Sequence, residues 1–207
     1  QAGAKARDRS GDEVGEGMIA YDAKSGDVIW EEKKRVYEGP CILHNDLIIT
    51  AAGQYKDSAG AFHIKDGKPY MVLNPLTGGE EPWRITRAYG CNTPIAGEHL
   101  LTFRSGSAGF YDLDSMSGTG NFGGFRSGCS STLIPANGVL NAPDYTRTCS
   151  CGYQNQTSLA LVHMPDVELW TYNRYGVDSP TDENIERVGI NFGAPGDRRS
   201  AEGTLWL

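Results

Sequence analysis

The sequence predicts an all-β chain built of four-stranded blades, and three observations predict it. A six-residue pattern occurs three times, as Tyr21-Asp22-Ala23-Lys24-Ser25-Gly26, Leu73-Asn74-Pro75-Leu76-Thr77-Gly78 and Leu113-Asp114-Ser115-Met116-Ser117-Gly118. An apolar run follows each glycine at near-constant distance: Leu47-Ile48-Ile49 begins 21 residues after Gly26, Leu100-Leu101 22 after Gly78, and Val139-Leu140 21 after Gly118. Composition agrees, with 27 Gly and 10 Tyr among 207 residues and no apolar 3.6-residue period long enough for a substantial helix. The three glycines are 52 and 40 residues apart. Periods of about 40 to 50 residues holding some four short strands mark β-propeller blades. A sandwich or irregular β domain with accidentally similar hairpins would leave the shared register of the two motifs unexplained.

The elements follow in order. Residues 18–31 read as strand, turn and strand. The Asp22 side chain can bond backbone two residues on, Gly26 supplies a positive φ, and Trp30 buries a large apolar face on the return strand. Residues 35–53 carry the next strand or two, and Gly60 to Pro69 reads as a hairpin turning at Asp66-Gly67, a pair suited to a type I′ turn. Residues 69–89 repeat the first motif, with Trp83 on the return strand, and 93–104 repeat the second. Turns at Asn45-Asp46, Gly97-Glu98 and Asn137-Gly138 precede the three apolar strands.

A third unit runs from Gly109 to about Asn141. In it Gly118 to Gly124 replaces the Trp strand as a wide turn or blade-top loop. It carries no Lys-Ser or Lys-Thr and no following helix, so the phosphate-cradling mechanism is absent. Ser158 to Met164, followed by Val167-Glu168-Leu169-Trp170, reads as half of a fourth blade, and the chain is polar and turn-rich from Tyr175 to Glu202.

The expected organisation is a polar segment over 1–16, blades over 17–172, and a polar loop or linker over 173–207. About three and a half to four blades are visible, as part of a larger propeller. The charged, Gly-rich start and the apolar Leu205-Trp206-Leu207 end read as those of a fragment. No 18-residue apolar run exists to span a membrane.

The net charge of −7 argues against nucleic acid as a partner, and Lys33-Lys34-Arg35 and Arg198-Arg199 read as solvated surface. Five cysteines imply an oxidising compartment with one thiol left over. Asn155-Gln156-Thr157 matches a glycosylation sequon, a triplet common by chance.

Cys91 and Cys129 follow Gly90 and Gly128 and stand 9 and 10 residues before Leu100 and Val139, so they hold equivalent places on successive blades. Cys149 and Cys151 lie close after the third apolar strand, while Cys41 is out of register. Three arrangements stay open. Two disulfides among Cys91, Cys129, Cys149 and Cys151 would leave Cys41 a buried free thiol. A tetrahedral thiolate metal site would have to use Cys149-Ser150-Cys151, whose single spacer is short for zinc. A redox or cofactor-contacting disulfide is the third. His163 and Met164 read as ordinary strand residues, and His44, His63 and His99 share no metal-ligand spacing. Asp144, Tyr145, Arg147, Tyr153, Asn155 and Gln156 form a polar cluster around two cysteines, either a ligand loop or a bonded blade top.

Residues 18–30, from Met18-Ile19-Ala20-Tyr21-Asp22 through Ser25-Gly26 to Trp30, resemble the blade signature of PQQ-like propellers, the quinoprotein alcohol dehydrogenase-like group. Asn121 to Cys129, and Asn141 to Cys151 running on through Thr157, resemble the closing part of large bacterial secreted proteins with such repeats. The resemblance covers roughly 17–172 and implies a propeller in a periplasmic or extracellular protein. It also implies two kinds of member, scaffolds without cofactor and dehydrogenases holding PQQ with calcium beside a catalytic Asp and a vicinal disulfide. Here Ser150 separates the two cysteines, and no calcium-binding Glu and Asn match residue by residue. Fold alone does not imply the enzyme.

The reading that follows is a secreted or periplasmic scaffold for binding or interaction, with a disulfide-linked, cysteine-rich blade end. Its partners are other blades or domains of a longer protein and a small-molecule or glycan ligand. Two alternatives stand beside it. One is a quinone- or metal-dependent oxidoreductase acting on an alcohol or sugar, with Asp144 as the catalytic candidate. The other is a carbohydrate-binding or carbohydrate-processing propeller using Tyr145, Tyr153, Trp170 and Tyr172.

Overall fold

A computed structural model describes residues 14–51, 58–88, 90, 92–116, 118–125, 132–143, 158–164, 184–192, 197–200 and 202–207. No helix occurs among them. A first sheet contains β1 (Val14–Tyr21), β2 (Val28–His44), β3 (Leu47–Ala51), β4 (Ser58–His63) and β7 (Arg84–Thr86), in that order. The hairpin of β5 (Met71–Leu73) and β6 (Glu80–Pro82) is inserted before β7. A second sheet is a four-stranded meander of β8 (Ile95–Ala96), β9 (Leu100–Ser105), β10 (Ser107–Asp112) and β11 (Thr119–Asn121). A third joins β12 (Ile134–Ala136), β13 (Val139–Ala142) and β14 (Leu159–Val162), and β15 (Arg198–Arg199) pairs with β16 (Leu205–Trp206).

The apolar runs that set the repeat become equivalent strands β3, β9 and β13. The two-residue loops Asn45-Asp46 and Asn137-Gly138 open two of them. Asn137 and Gly138 both take positive φ, 50° and 75°, as a type I′ hairpin turn requires.

Successive sheets pack face to face. On one face of the second sheet, Leu101, Phe103 and Tyr111 meet Ile49, Ala61, Trp83 and Ile85 of the first unit. On the other face, Ala108 meets Leu133 and Ala142, flanked by Leu140, Leu159 and Leu161. The alternation of β9 explains both contacts, since neighbouring side chains of a strand point to opposite faces. Thr102, between Leu101 and Phe103, donates its hydroxyl to the Leu133 carbonyl at 2.8 Å. Each fully buried Leu, Ile or Phe contributes about 1.5–3 kcal/mol, so these cores outweigh the exposed ion pairs, worth about 0–1 kcal/mol each. The fold class is all-β, with propeller-type blades stacked in chain order.

Several details differ from the sequence reading. The return strand of the first hairpin and the strand after it are one 17-residue β2, whose first part pairs with β1 and whose last part pairs with β3. Its pairing with β1 is shifted at Glu16/Met18, where Gly17 takes a φ of 78° and forms a bulge. The fifth strand of the first sheet is composite. The Lys68 carbonyl and the Tyr70 amide bond one end of β4, at His63 and Ala61, β7 pairs with the other, and the β5–β6 hairpin stands between them.

Gly118 to Gly124 is not a wide loop throughout, because Thr119–Asn121 is the return strand β11. A Cβ on Gly120 would run into the Phe110 ring, which is why this strand carries glycine there. Leu159–Val162 completes the third sheet rather than beginning a fourth blade. His163 and Met164 follow β14 as exposed residues. Within 173–207, described residues pack back onto earlier chain: the Glu186 amide donates to the Leu76 carbonyl at 3.1 Å, and Leu205 is fully buried.

Candidate functional site

The turns share one construction, and their chemistry is legible in the motif. In residues 22–27, the Asp22 carboxylate accepts the Lys24 and Ser25 amides at 2.8 and 2.9 Å. The Gly26 amide returns to the Asp22 carbonyl at 2.9 Å, with Gly26 at φ 76°. The Ser25 hydroxyl then accepts the Asp27 amide at 3.2 Å. In 74–79, Asn74 accepts the Leu76 and Thr77 amides, Gly78 has φ 74°, and Thr77 accepts the Gly79 amide. Each motif position therefore has a job: an acceptor first, Ser or Thr fourth, and glycine fifth.

The third copy is displaced by two residues from the sequence reading. Asp112, not Asp114, accepts the amides of Asp114 and Ser115, and Met116 takes the left-handed position at φ 49°. A fourth copy, in 63–68, escaped the pattern because His63 occupies the acceptor position. Its Gly67 amide nevertheless bonds the His63 carbonyl at 2.9 Å, with φ 68° at Gly67 and the Asp66 carboxylate accepting the Lys68 amide. Asp66 has no positive φ, so this turn is not the expected type I′. The Trp30 indole lies against Gly67 and donates to the Ile64 carbonyl at 2.7 Å.

Two of these turns form a rim that repeats between units. The Ile64 amide bonds the Asp46 carbonyl, and the Leu113 amide bonds the His99 carbonyl, each at 2.8 Å. Beside each bond lies a histidine–carboxylate pair. His63 Nδ1 is 3.6 Å from Asp46, and His99 Nδ1 is 2.8 Å from Asp114. The pairs are exposed, and the histidine sits on opposite members of the two turn pairs.

The other end of β9 carries a buried polar cluster. Arg87 Nε donates to the Arg104 carbonyl at 2.7 Å, and its Nη2 donates to Asn92 Oδ1 at 2.8 Å and to the Asn92 carbonyl. The Arg104 amide donates to the same Asn92 Oδ1 at 2.8 Å, and Ser105 Oγ accepts the Ala88 amide. The Arg87 guanidinium stands 5.6 Å from the centre of the Phe103 ring. A Cβ on Gly90 would strike the Arg104 carbonyl. The cluster fixes to β9 the two sequence neighbours of Cys91, Gly90 and Asn92. Sequence reasoning missed Arg87, Asn92 and Arg104. The available signal was Arg104 inside an apolar strand.

Cys91, Cys129, Cys149, Cys151, Asp144, Tyr145, Arg147, Tyr153, Asn155 and Gln156 lie outside the described residues. So do Trp170 and Tyr172. Cys41 is exposed, not buried as expected: on β2 it is the neighbouring Ile42 that packs against the larger core. It is a free thiol, and although its surface is open to solvent, the protein around it desolvates the thiolate and pushes its pKa up. Among the described residues no group of three His, Cys, Asp or Glu could hold a metal, and no helix is long and apolar enough to cross a membrane.

No protein-family model matches the chain, and no curated protein matches it. Among solved structures it is similar to BamB from Moraxella catarrhalis, at 16% identity and a TM-score of 0.36. The match covers 61% of this chain and 40% of that one, so the chain spans less than half the length of BamB.

Proposed function

We propose that the chain is a section of a PQQ-like propeller serving as a binding or interaction scaffold in a secreted or periplasmic protein. The observation that carries this reading is the turn construction. The first, fourth and fifth positions serve the backbone, while the second and third differ in every copy: Ala23-Lys24, Ile64-Lys65, Pro75-Leu76 and Leu113-Asp114, of which Leu76 and Leu113 face the protein and the others are open to vary. A rigid stack whose turns differ in side chain from copy to copy suits recognition by surface loops.

In this reading residues 17–172 supply the blades, flanked by 1–16 and 173–207. Cys91, Cys129, Cys149 and Cys151 close two disulfides at one blade end. The Asp144 to Gln156 segment, with Tyr145, Arg147, Tyr153 and Asn155, presents a ligand loop to a small molecule, a glycan or a neighbouring domain.

The test is cofactor and metal analysis, joined to non-reducing peptide mapping, on the protein purified with its native flanking sequence. Two disulfides and no bound quinone or metal are expected. A quinone absorbance that supports dye-linked oxidation of an alcohol or sugar overturns the scaffold reading in favour of an oxidoreductase.

A further inference from the structure

β2 does not run straight. At roughly 3.3 Å per residue, a straight strand would set Trp30 about 45 Å from His44. Yet the Trp30 indole donates to the Ile64 carbonyl, and the Ile64 amide bonds the carbonyl of Asp46, in the loop just past His44. β2 therefore bends back, with its register against β3 shifted between Glu38 and Ile42, and the β1–β2 hairpin returns to the 63–68 turn.

β1 holds the place of the third strand of a unit. The Asp22 turn follows it as the 63–68 turn follows β4 and the Asp112 turn follows β10. β4 pairs with β3, and β3 with the end of β2; β10 pairs with β9, and β9 with β8. β1 instead stands at the edge of its sheet, paired with β2 alone. Residues 1–13 carry no apolar run comparable with Leu47-Ile48-Ile49, Leu100-Leu101 or Val139-Leu140.

The face of the first sheet turned away from the second has the matching gap. In the second sheet the row Ala96-Leu101-Tyr111 packs on the unit before it, with Trp83 against Tyr111. In the third sheet the row Pro135-Leu140-Leu161 does the same, with Pro135 at Gly97 and the leucines against the Ala108 core. The equivalent row of the first sheet is Leu43-Ile48-Phe62, which alternates with Ile42, Ile49 and Ala61, the residues that face the second sheet. Trp30 stands just beyond Phe62, at Ile64 and Gly67, much as Trp83 stands at Tyr111. Leu43, at the other end of the row, is 73% exposed.

We propose that β1 and the first half of β2 are the outer half of a further blade, and that an apolar antiparallel hairpin from upstream in the same polypeptide supplies its two inner strands. One strand of that hairpin pairs with the free edge of β1, and its side chains cover Leu43 and Ile48. Strand order selects the source, because in each described unit the inner strands precede the third strand in sequence. The inference rests on the chain being a section of a propeller.

Hydrogen exchange on the protein with its native upstream sequence, compared with the 207-residue chain, tests this. The amides of Met18–Tyr21 that point away from β2 should exchange at least about tenfold more slowly in the longer protein, and hydroxyl-radical labelling of Leu43 should fall with them. Leu43→Lys should remove that protection in the longer protein and leave the fold of the 207-residue chain intact, where this side chain is exposed. Equal exchange and labelling in the two wild-type proteins overturns the proposal, whatever the variant does. Protection that appears in the 207-residue chain as its concentration rises also overturns it, since a second copy is then the source. The two readings fail separately: an active bound quinone overturns the scaffold with β1 still protected, whereas an unprotected β1 in a quinone-free protein overturns the blade completion alone.

Discussion

Trp83 donates its indole N–H to the Tyr111 hydroxyl at 3.1 Å, with the rings edge to face and their centroids 5.4 Å apart. This contact ties the first unit to the second at the centre of the larger core. Both residues are nearly fully buried, so the bond has no water to replace it. Tyr111→Phe keeps the ring contact and leaves the Trp83 donor unsatisfied, which costs about 1–3 kcal/mol. Trp83→Phe removes the donor as well and tests the same bond from its other side. Denaturant unfolding of the two single variants and the double variant should show coupling. Additive effects would mean that the bond does not join the units energetically.

The Arg87 cluster predicts a different coupling. Arg87→Lys replaces a planar fork by a point donor, which cannot reach the Arg104 carbonyl and Asn92 together. Loss of these charge-assisted bonds in a buried site should cost on the order of 3 kcal/mol. Gly90→Ala should be comparably harmful, because the added methyl meets backbone rather than a movable side-chain end. Combining the two should cost less than their sum, since either alone displaces the 87–92 segment from β9. Urea melts of the three variants decide it.

The displaced third turn gives a sharper test. Asp112 holds two backbone amides, whereas Asp114 pairs with His99 at the surface. Asp112→Ala should destabilise by about 1 kcal/mol, in the range of a lost capping acceptor. Asp114→Ala should cost less than about 0.5 kcal/mol, the scale of an exposed ion pair. The reverse order for the two aspartates would restore the register read from the sequence.

That register shows what the sequence carried and what it did not. Asp22 and Asn74 announced their turns because the acceptor, hydroxyl and glycine coincide at fixed spacing. Around residue 112 two frames satisfy apolar-then-Asp, Tyr111-Asp112 and Leu113-Asp114. Ladder pairing chooses between them, since Tyr111 faces Leu101 and Thr119. His63 hid the fourth turn because histidine is not a side-chain acceptor that the pattern seeks. Strands β3, β9 and β13 were legible as apolar runs behind turn residues. The Arg87–Asn92–Arg104 cluster was not, because its bonds reach up to 17 residues and depend on how the 87–92 segment lies against β9. Of the candidate site, Gly90 and Asn92 beside Cys91 are placed, while the cysteines and the Asp144 to Gln156 loop lie outside the described residues.

The turn carboxylates finally predict how stability responds to acid. The backbone N–H groups of Ser25 and then Lys24 hold the Asp22 carboxyl below its ordinary pKa, and the Lys68 amide does the same for Asp66. A carboxyl whose folded pKa is depressed contributes stability that is present above its unfolded value, about 3.9, and is lost as pH falls through the folded value. The carboxylate contribution at these turns should therefore persist at pH 5 and fade below about pH 4. Asp22→Asn separates the charge from the hydrogen bonds, because Asn74 already holds the same turn with an amide oxygen. That variant should melt close to the wild type at neutral pH and lose less stability than the wild type on acidification. Asp22→Ala, without an acceptor, should melt lower at every pH. Thermal melts of the three proteins between pH 2 and 7 test this. An acid response unchanged by Asp22→Asn would show that the native turn does not favour the carboxylate over the neutral acid.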